Sequence, residues 1–161
     1  GHDDGWRFMV LGRSLERVDM TTRLLSTRLI GGDHAPSWRT LLRSCGADEA
    51  FLRTYRGELE AEHVAEFLLL DRLFPRSVYH ALTTAEQCLG DLDPRAARAG
   101  VDDEARRSLG RQCAELECLA VDDAMDDLPR LLATIQQGCA DVHRAIARRY
   151  FRETRVIEWS V

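Results

Sequence analysis

The stretch LGRSLERVDMTTRLL, residues 11–25, sets Arg13, Glu16, Arg17, Asp19 and Arg23 within about three turns of an amphipathic pattern. Charges at these spacings can do three different things. Asp19 with Arg23 at i,i+4, and Arg13 with Glu16 at i,i+3, are pairs that lace a solvated helix face, worth about 0.3–0.5 kcal/mol each. A carboxylate among small and apolar neighbours can instead anchor a partly buried ionic link. Glu16 has such neighbours, because it shares a second stripe with Met9, Gly12 and Met20. The third role is chemical: a carboxylate flanked by guanidiniums can bind or turn over a peptide or amino-acid substrate. We expect the second, with Glu16 and Arg17 cross-linking helices. Removing Glu16 would then strand a cation and cost about 3–5 kcal/mol.

Other chemistry-bearing residues are more scattered. Glu60 and His63 have the Glu-x-x-His spacing that di-metal bundles use, but only one copy occurs. Asp122, Asp123, Asp126 and Asp127 offer hard oxygen ligands without the alternation or glycine of a calcium loop. Asp126 and Asp127 also stand where a helix N-terminus favours negative charge. No metal and no cofactor are therefore expected. Cys45 precedes Gly46 near a helix end, where the dipole disfavours a thiolate, so it reads as a buried thiol. Arg144, Arg148, Arg149, Arg152 and Arg155 make the last helix end basic, which complements its dipole or docks an acidic partner. The sequence contains no Gly-rich phosphate loop, no H-E-x-x-H and no G-x-S-x-G.

The elements that must position these residues are helices. Leu11, Leu15, Val18, Thr22, Leu25 and Leu29 form one apolar stripe, predicting a helix over residues 6–29 capped by Asp3 or Asp4 and ended at Gly31 and Gly32. Ser37 caps WRTLLRSC, which Gly46 closes. DEAFLRTYR follows up to Gly57, then HVAEFLLLD, and a restart at Pro75 carries RSVYHALTTAEQCLGDL. After a loop with Pro94 and Gly100 come DEARRSLGRQCAELECLAV and a long helix over residues 128–151. The aromatic start GWRF reads as core. Only RVIEW near the end could be extended. The fold class is all-α, an antiparallel bundle of about six or seven helices in a single domain over residues 1–161.

Composition agrees with a globular chain: 161 residues, 45% hydrophobic and 30% charged, with a net charge of −5 that disfavours nucleic acid and anionic membranes as partners. All 22 basic residues are arginines, so no side chain can form a Schiff base. The five cysteines include no C-x-x-C pair and suit buried thiols in a reducing compartment. No strictly apolar run exceeds the four residues of 67–70, too short to span a bilayer, so a cytoplasmic location is expected. The opening GHDDGW, without an initiator Met, reads as the start of an excised piece.

LGRSLERVDMTTRLL resembles the signature of the bacterial alpha-E domain family, a helical family named for its Glu-Arg motif, with Glu16 and Arg17 at those two positions. SWRTLLRSCGADEAFLRTY continues the resemblance through Trp38, Leu41, Leu42, Gly46, Phe51 and Tyr55. VAEFLLLDRLFPRSVYHAL extends it through Phe67, Leu70, Asp71, Pro75 and Ser77. Arg13, Glu16, Arg17, Asp19 and Asp71 are its candidate motif residues, structural or binding, and none is assigned as catalytic. The resemblance implies a companion of circularly permuted ATP-grasp ligases and transglutaminase-like peptidases, in a peptide-synthesis or peptide-modification system. Full members have two similar halves, and this chain resembles the C-terminal one. The expected function is a non-catalytic scaffold or interaction domain; the alternative is an enzyme with a carboxylate-arginine or di-metal site in the bundle. A missing half would leave an apolar face open, on the Leu11 stripe or the VAEFLLL helix, and favour a homodimer.

Overall fold

The computed structural model describes residues 2–56, 59–93 and 103–151, and among these it contains eight α-helices and no strand. They are α1 (His2–Ile30), α2 (Trp38–Ser44), α3 (Asp48–Thr54), α4 (Ala61–Leu70), α5 (Val78–Leu92), α6 (Glu104–Cys118), α7 (Val121–Asp126) and α8 (Leu128–Tyr150). The all-α expectation holds. The extra helix is α7, six residues long, built from the acidic VDDAMD stretch. RVIEW, Gly57, Pro94, Gly100, Arg152 and Arg155 lie outside the described residues.

Four long helices make the frame. α1 packs against α5 and α8, and α6 closes the square by packing against the same two. Cross-helix pairs show that every neighbour runs antiparallel. Arg7 of α1 meets Asp91 late in α5, while Phe8 meets Tyr150 at the end of α8. Thr83 of α5 meets Cys113 of α6, and Glu104 opening α6 meets Arg148. The result is an up-down-up-down bundle. Its centre is lined by Leu11, Leu15, Val18 and Leu25 from α1, Leu82 and Leu89 from α5, Leu109 from α6, and Leu132 and Val142 from α8. Both apolar faces expected to lie open are therefore covered within this chain: the α1 stripe is buried to Leu25, and Val64, Phe67, Leu68 and Leu69 of α4 are buried too. Leu29, past the bundle's reach, is half exposed, and Trp6 of GWRF lies outside the core at 60% exposure.

The connection from α1 to α5 is shaped by a few polar contacts. Gly32 takes a positive φ just after α1. Ser37 caps α2 by accepting from the Thr40 amide. The α4–α5 turn is held by Asp71, whose Oδ1 accepts from the amides of Leu73 and Phe74 at 2.9 and 2.7 Å. Ser77 then donates to the Asp71 carbonyl at 2.5 Å while accepting from the His80 amide at 3.1 Å. The helix restart is thus set by Ser77 as N-cap rather than by Pro75, which stays in the turn. α1 likewise begins earlier than expected, at His2, so Asp3 and Asp4 stand in its first turn and do not cap it. Asp103 and Asp127 cap α6 and α8.

Gly46 shows how tightly this connection is fitted. It sits at φ +62°, and a Cβ added there would lie 2.0 Å from Nη1 of Arg76. That same nitrogen donates to the Gly46 carbonyl at 3.1 Å. Left-handed backbone costs an L-residue about 1–2 kcal/mol, and the substitution also displaces the guanidinium. Gly46→Ala is expected to lower unfolding free energy by about 1–2 kcal/mol in urea titration, with less loss when Arg76→Ala is already present.

Candidate functional site

On a helix, successive residues point about 100° apart, so Glu16 and Arg17 cannot share a face. The buried residues Leu15 and Val18 stand between them and turn the pair to opposite flanks of α1. Glu16 faces α8 and Arg17 faces α5. The expected cross-link is corrected accordingly: Glu16 is exposed, and neither residue has an ion pair among the described residues. Arg13 is exposed on the α5 side and does not pair with Glu16. Only the Asp19–Arg23 pair forms as read, at 2.9 Å. A single pocket lined by Glu16, Arg13 and Arg17 does not exist in this arrangement.

On the α8 flank, Gly12, Glu16, Asp19 and Arg23 form one wall of a groove of about 620 Å³. Gln136, Cys139, Ala140 and His143 of α8 form the other. Nothing lies within 4 Å of where a Cβ on Gly12 would stand, so the groove is open there. A smaller apolar groove continues past Gly12 and His143 towards Phe8 and Phe151. The stripe that carries Glu16 is exposed throughout, with Met9 at 39% and Met20 at 42%. Cys139 lies at the base, buried, its thiol donating to the Leu15 carbonyl at 3.5 Å. Burial, with Asp19 adding to it, pushes this thiol up to about 11, so it is no nucleophile near neutral pH. Gln136 and His143 are missing from the sequence-derived site. Their signal was a small and polar stripe at 136, 140, 143 and 147, matching the spacing of 12, 16, 19 and 23 on α1.

The remaining candidates have local duties. Asp71 builds the α4–α5 turn. Glu60 Oε2 lies 3.9 Å from Nδ1 of His63, whose ring stacks on Tyr55, and no group of three or more His, Cys, Asp or Glu converges on one point among the described residues. Asp122 and Asp123 lie exposed on α7, and Asp127 accepts from the Arg130 amide as the cap of α8. The basic end of α8 is matched by acids: Arg144 pairs with Asp141, Arg148 with Glu104 at 3.1 Å, and Arg149 with Asp93 at 2.7 Å. Among the described residues, each of these three guanidiniums is thus offset by a carboxylate.

Residues 1–151 match a family described as a predicted alpha-helical domain with a conserved ER motif. Glu16-Arg17 is the only Glu-Arg dipeptide in the sequence. The chain belongs to the Alpha-E family. Uncharacterized proteins of Mycobacterium bovis and Mycobacterium tuberculosis are 28% identical to this Alpha-E chain over 149 residues, covering 88% of it. The chain spans only 17% of the length of those curated relatives. No solved structure matches it. Among the described residues, no helix is long and apolar enough to cross a membrane.

Because Glu16 is exposed and has no ion pair among the described residues, Glu16→Ala should shift unfolding free energy by no more than about 0.5 kcal/mol. Asp71→Ala, which strips two amides of their acceptor, should cost about 1–3 kcal/mol in the same urea titration.

The thiols supply a pH test. Cys45, Cys88, Cys113 and Cys139 are buried and Cys118 is exposed. Burial raises Cys45 from its ordinary 9.0 to about 11 and Cys113 to about 12. A proton held more tightly by the folded state gives stability that is full below the unfolded pKa and lost as pH rises through the folded one. Unfolding free energy should therefore fall between about pH 9 and 12. A thiol-labelling reagent at pH 8 should modify Cys118 fast and the other four only as the chain opens.

Proposed function

We propose that this Alpha-E domain is a non-catalytic docking module. Its partner is a circularly permuted ATP-grasp ligase, or a transglutaminase-like peptidase, in a peptide-synthesis or peptide-modification system. The observation that carries the reading is the position of Glu16. It belongs to the motif that marks the family, yet it is exposed and has no ion pair among the described residues. Folding of this chain gives such a residue no task, so its task faces outward. Its surroundings suit a contact surface. Met9 and Met20 flank it with adaptable apolar area, and the α1–α8 groove beside it is open at Gly12. The share of the longer relatives that the match occupies fits a module working beside other units.

The test uses the chain and a circularly permuted ATP-grasp protein from the same organism, both purified, with binding followed by calorimetry. Glu16→Ala and Gly12→Leu, which fills the groove, should each weaken binding about tenfold or more while leaving the melting temperature near that of the parent. Equal affinity for parent and both variants would remove the groove from the reading. Sedimentation of the chain alone reports whether a second copy occupies the same face.

A further inference from the structure

The opposite flank of α1 carries chemistry that the docking reading leaves unused. Between α1 and α5 lies a cleft of about 250 Å³ whose polar lining is Arg13, Ser14, Arg17, His80 and Thr84. Val10, Pro75 and Ala81 supply its apolar wall. No carboxylate lines it, in a chain with 27 acidic residues and a net charge of −5. Neither Arg13 nor Arg17 has a hydrogen bond or ion pair among the described residues. Arg111 and Arg130 also lack an ion pair among the described residues, but the groove they line holds Glu115 and Asp141, whereas Arg13 and Arg17 share a cleft without a carboxylate. We propose that this cleft binds the phosphate group of a small phosphate monoester.

Charge decides between oxyanions. Arg13 and Arg17 are i,i+4 neighbours, so both guanidiniums can reach one group from the same face of α1. A dianionic phosphate offsets two fixed positive charges and offers enough oxygens for two forked donors, whereas a single carboxylate leaves one cation unmatched. The α5 side adds to this. His80 stands in the first turn of that 15-residue helix, where the aligned peptide dipoles favour an anion. Its amide is already given to the Ser77 cap, so the imidazole is what His80 can contribute. Thr84 donates its hydroxyl proton to the His80 carbonyl at 2.9 Å and lies 3.5 Å from Nδ1, which places it as a support for the ring. The hydroxyl of Ser14 is uncommitted among the described residues and is the remaining donor. The volume leaves room beside the phosphate for a short carbon chain against Val10, Pro75 and Ala81. The assignment does not rest on the docking reading, which concerns the α8 flank.

The experiment is calorimetric titration of the full chain at low ionic strength and about pH 7.5, with glycerol 3-phosphate, inorganic phosphate and acetate as probes. Glycerol 3-phosphate is expected to bind saturably and more tightly than acetate. Arg13→Gln and Arg17→Gln should each weaken it about tenfold, and Arg23→Gln on the other flank should leave it unchanged. Circular dichroism of each variant confirms that the helices persist. His80 gives a readout that a merely structural arginine would not move: saturation with glycerol 3-phosphate should shift its imidazole NMR resonances, and not in the Arg13→Gln, Arg17→Gln double variant. Absence of saturable binding, or unchanged binding in the double variant, would overturn the site. Acetate binding as tightly as glycerol 3-phosphate would overturn the phosphate assignment. Inorganic phosphate binding with glycerol 3-phosphate excluded would overturn the monoester.

Discussion

The burial of one stripe of α1 orders the rest of this molecule. Leu11, Leu15, Val18 and Leu25 are almost wholly removed from water, wedged between α5 and α8. Each such leucine contributes about 2–5 kcal/mol, judged by what truncation to alanine costs in packed cores. No surface ion pair on α1 approaches that, so packing fixes the rotation of the helix about its axis. Everything else α1 carries is placed as a consequence. Residues on one side of the stripe meet α8, residues on the other meet α5, and Glu16 and Arg17 part company across it.

The short helices serve this arrangement from one end. Trp38 of α2 lies under the Arg28 guanidinium at 4.6 Å, and the stacked rings of Phe67 and Phe74 tie α4 to the turn that launches α5. Asp71, Ser77, Gly46 and Arg76 convert a long connection into a set of satisfied backbone groups. Three of them, Gly46, Asp71 and Ser77, belong to the motifs by which the chain resembles its family, and their physical role is in turns and caps. The Glu-Arg motif differs from these. It contributes no turn, no cap and no buried pair among the described residues, which is why its two side chains are read as surfaces for something else.

The two flanks offer different chemistry. The α8 side is a wide, mixed surface with two carboxylates, an imidazole and exposed methionines, suited to another protein. The α5 side is small, cationic and free of carboxylates, suited to an anion. One helix, about 10 Å across, thus lies between the proposed docking groove and the proposed phosphate cleft.

The sequence by itself determined the helices, because a spacing of three and four in Leu11, Leu15, Val18, Thr22 and Leu25 has one regular solution that buries them together. It also determined Ser37 and Gly46 as stops and starts, since capping and left-handed backbone are local chemistry. The fate of Glu16 needed tertiary structure. Local spacing sets it between Gly12 and Met20, but only the packing partner decides whether that stripe is covered, and α8 stops one face short of it. The partners of the motif were equally out of reach: His143 and Gln136 lie more than a hundred residues away along the chain, and His80 more than sixty. Chain distance carries no information about which helix faces share a groove, because that is fixed by how four apolar stripes close on one core.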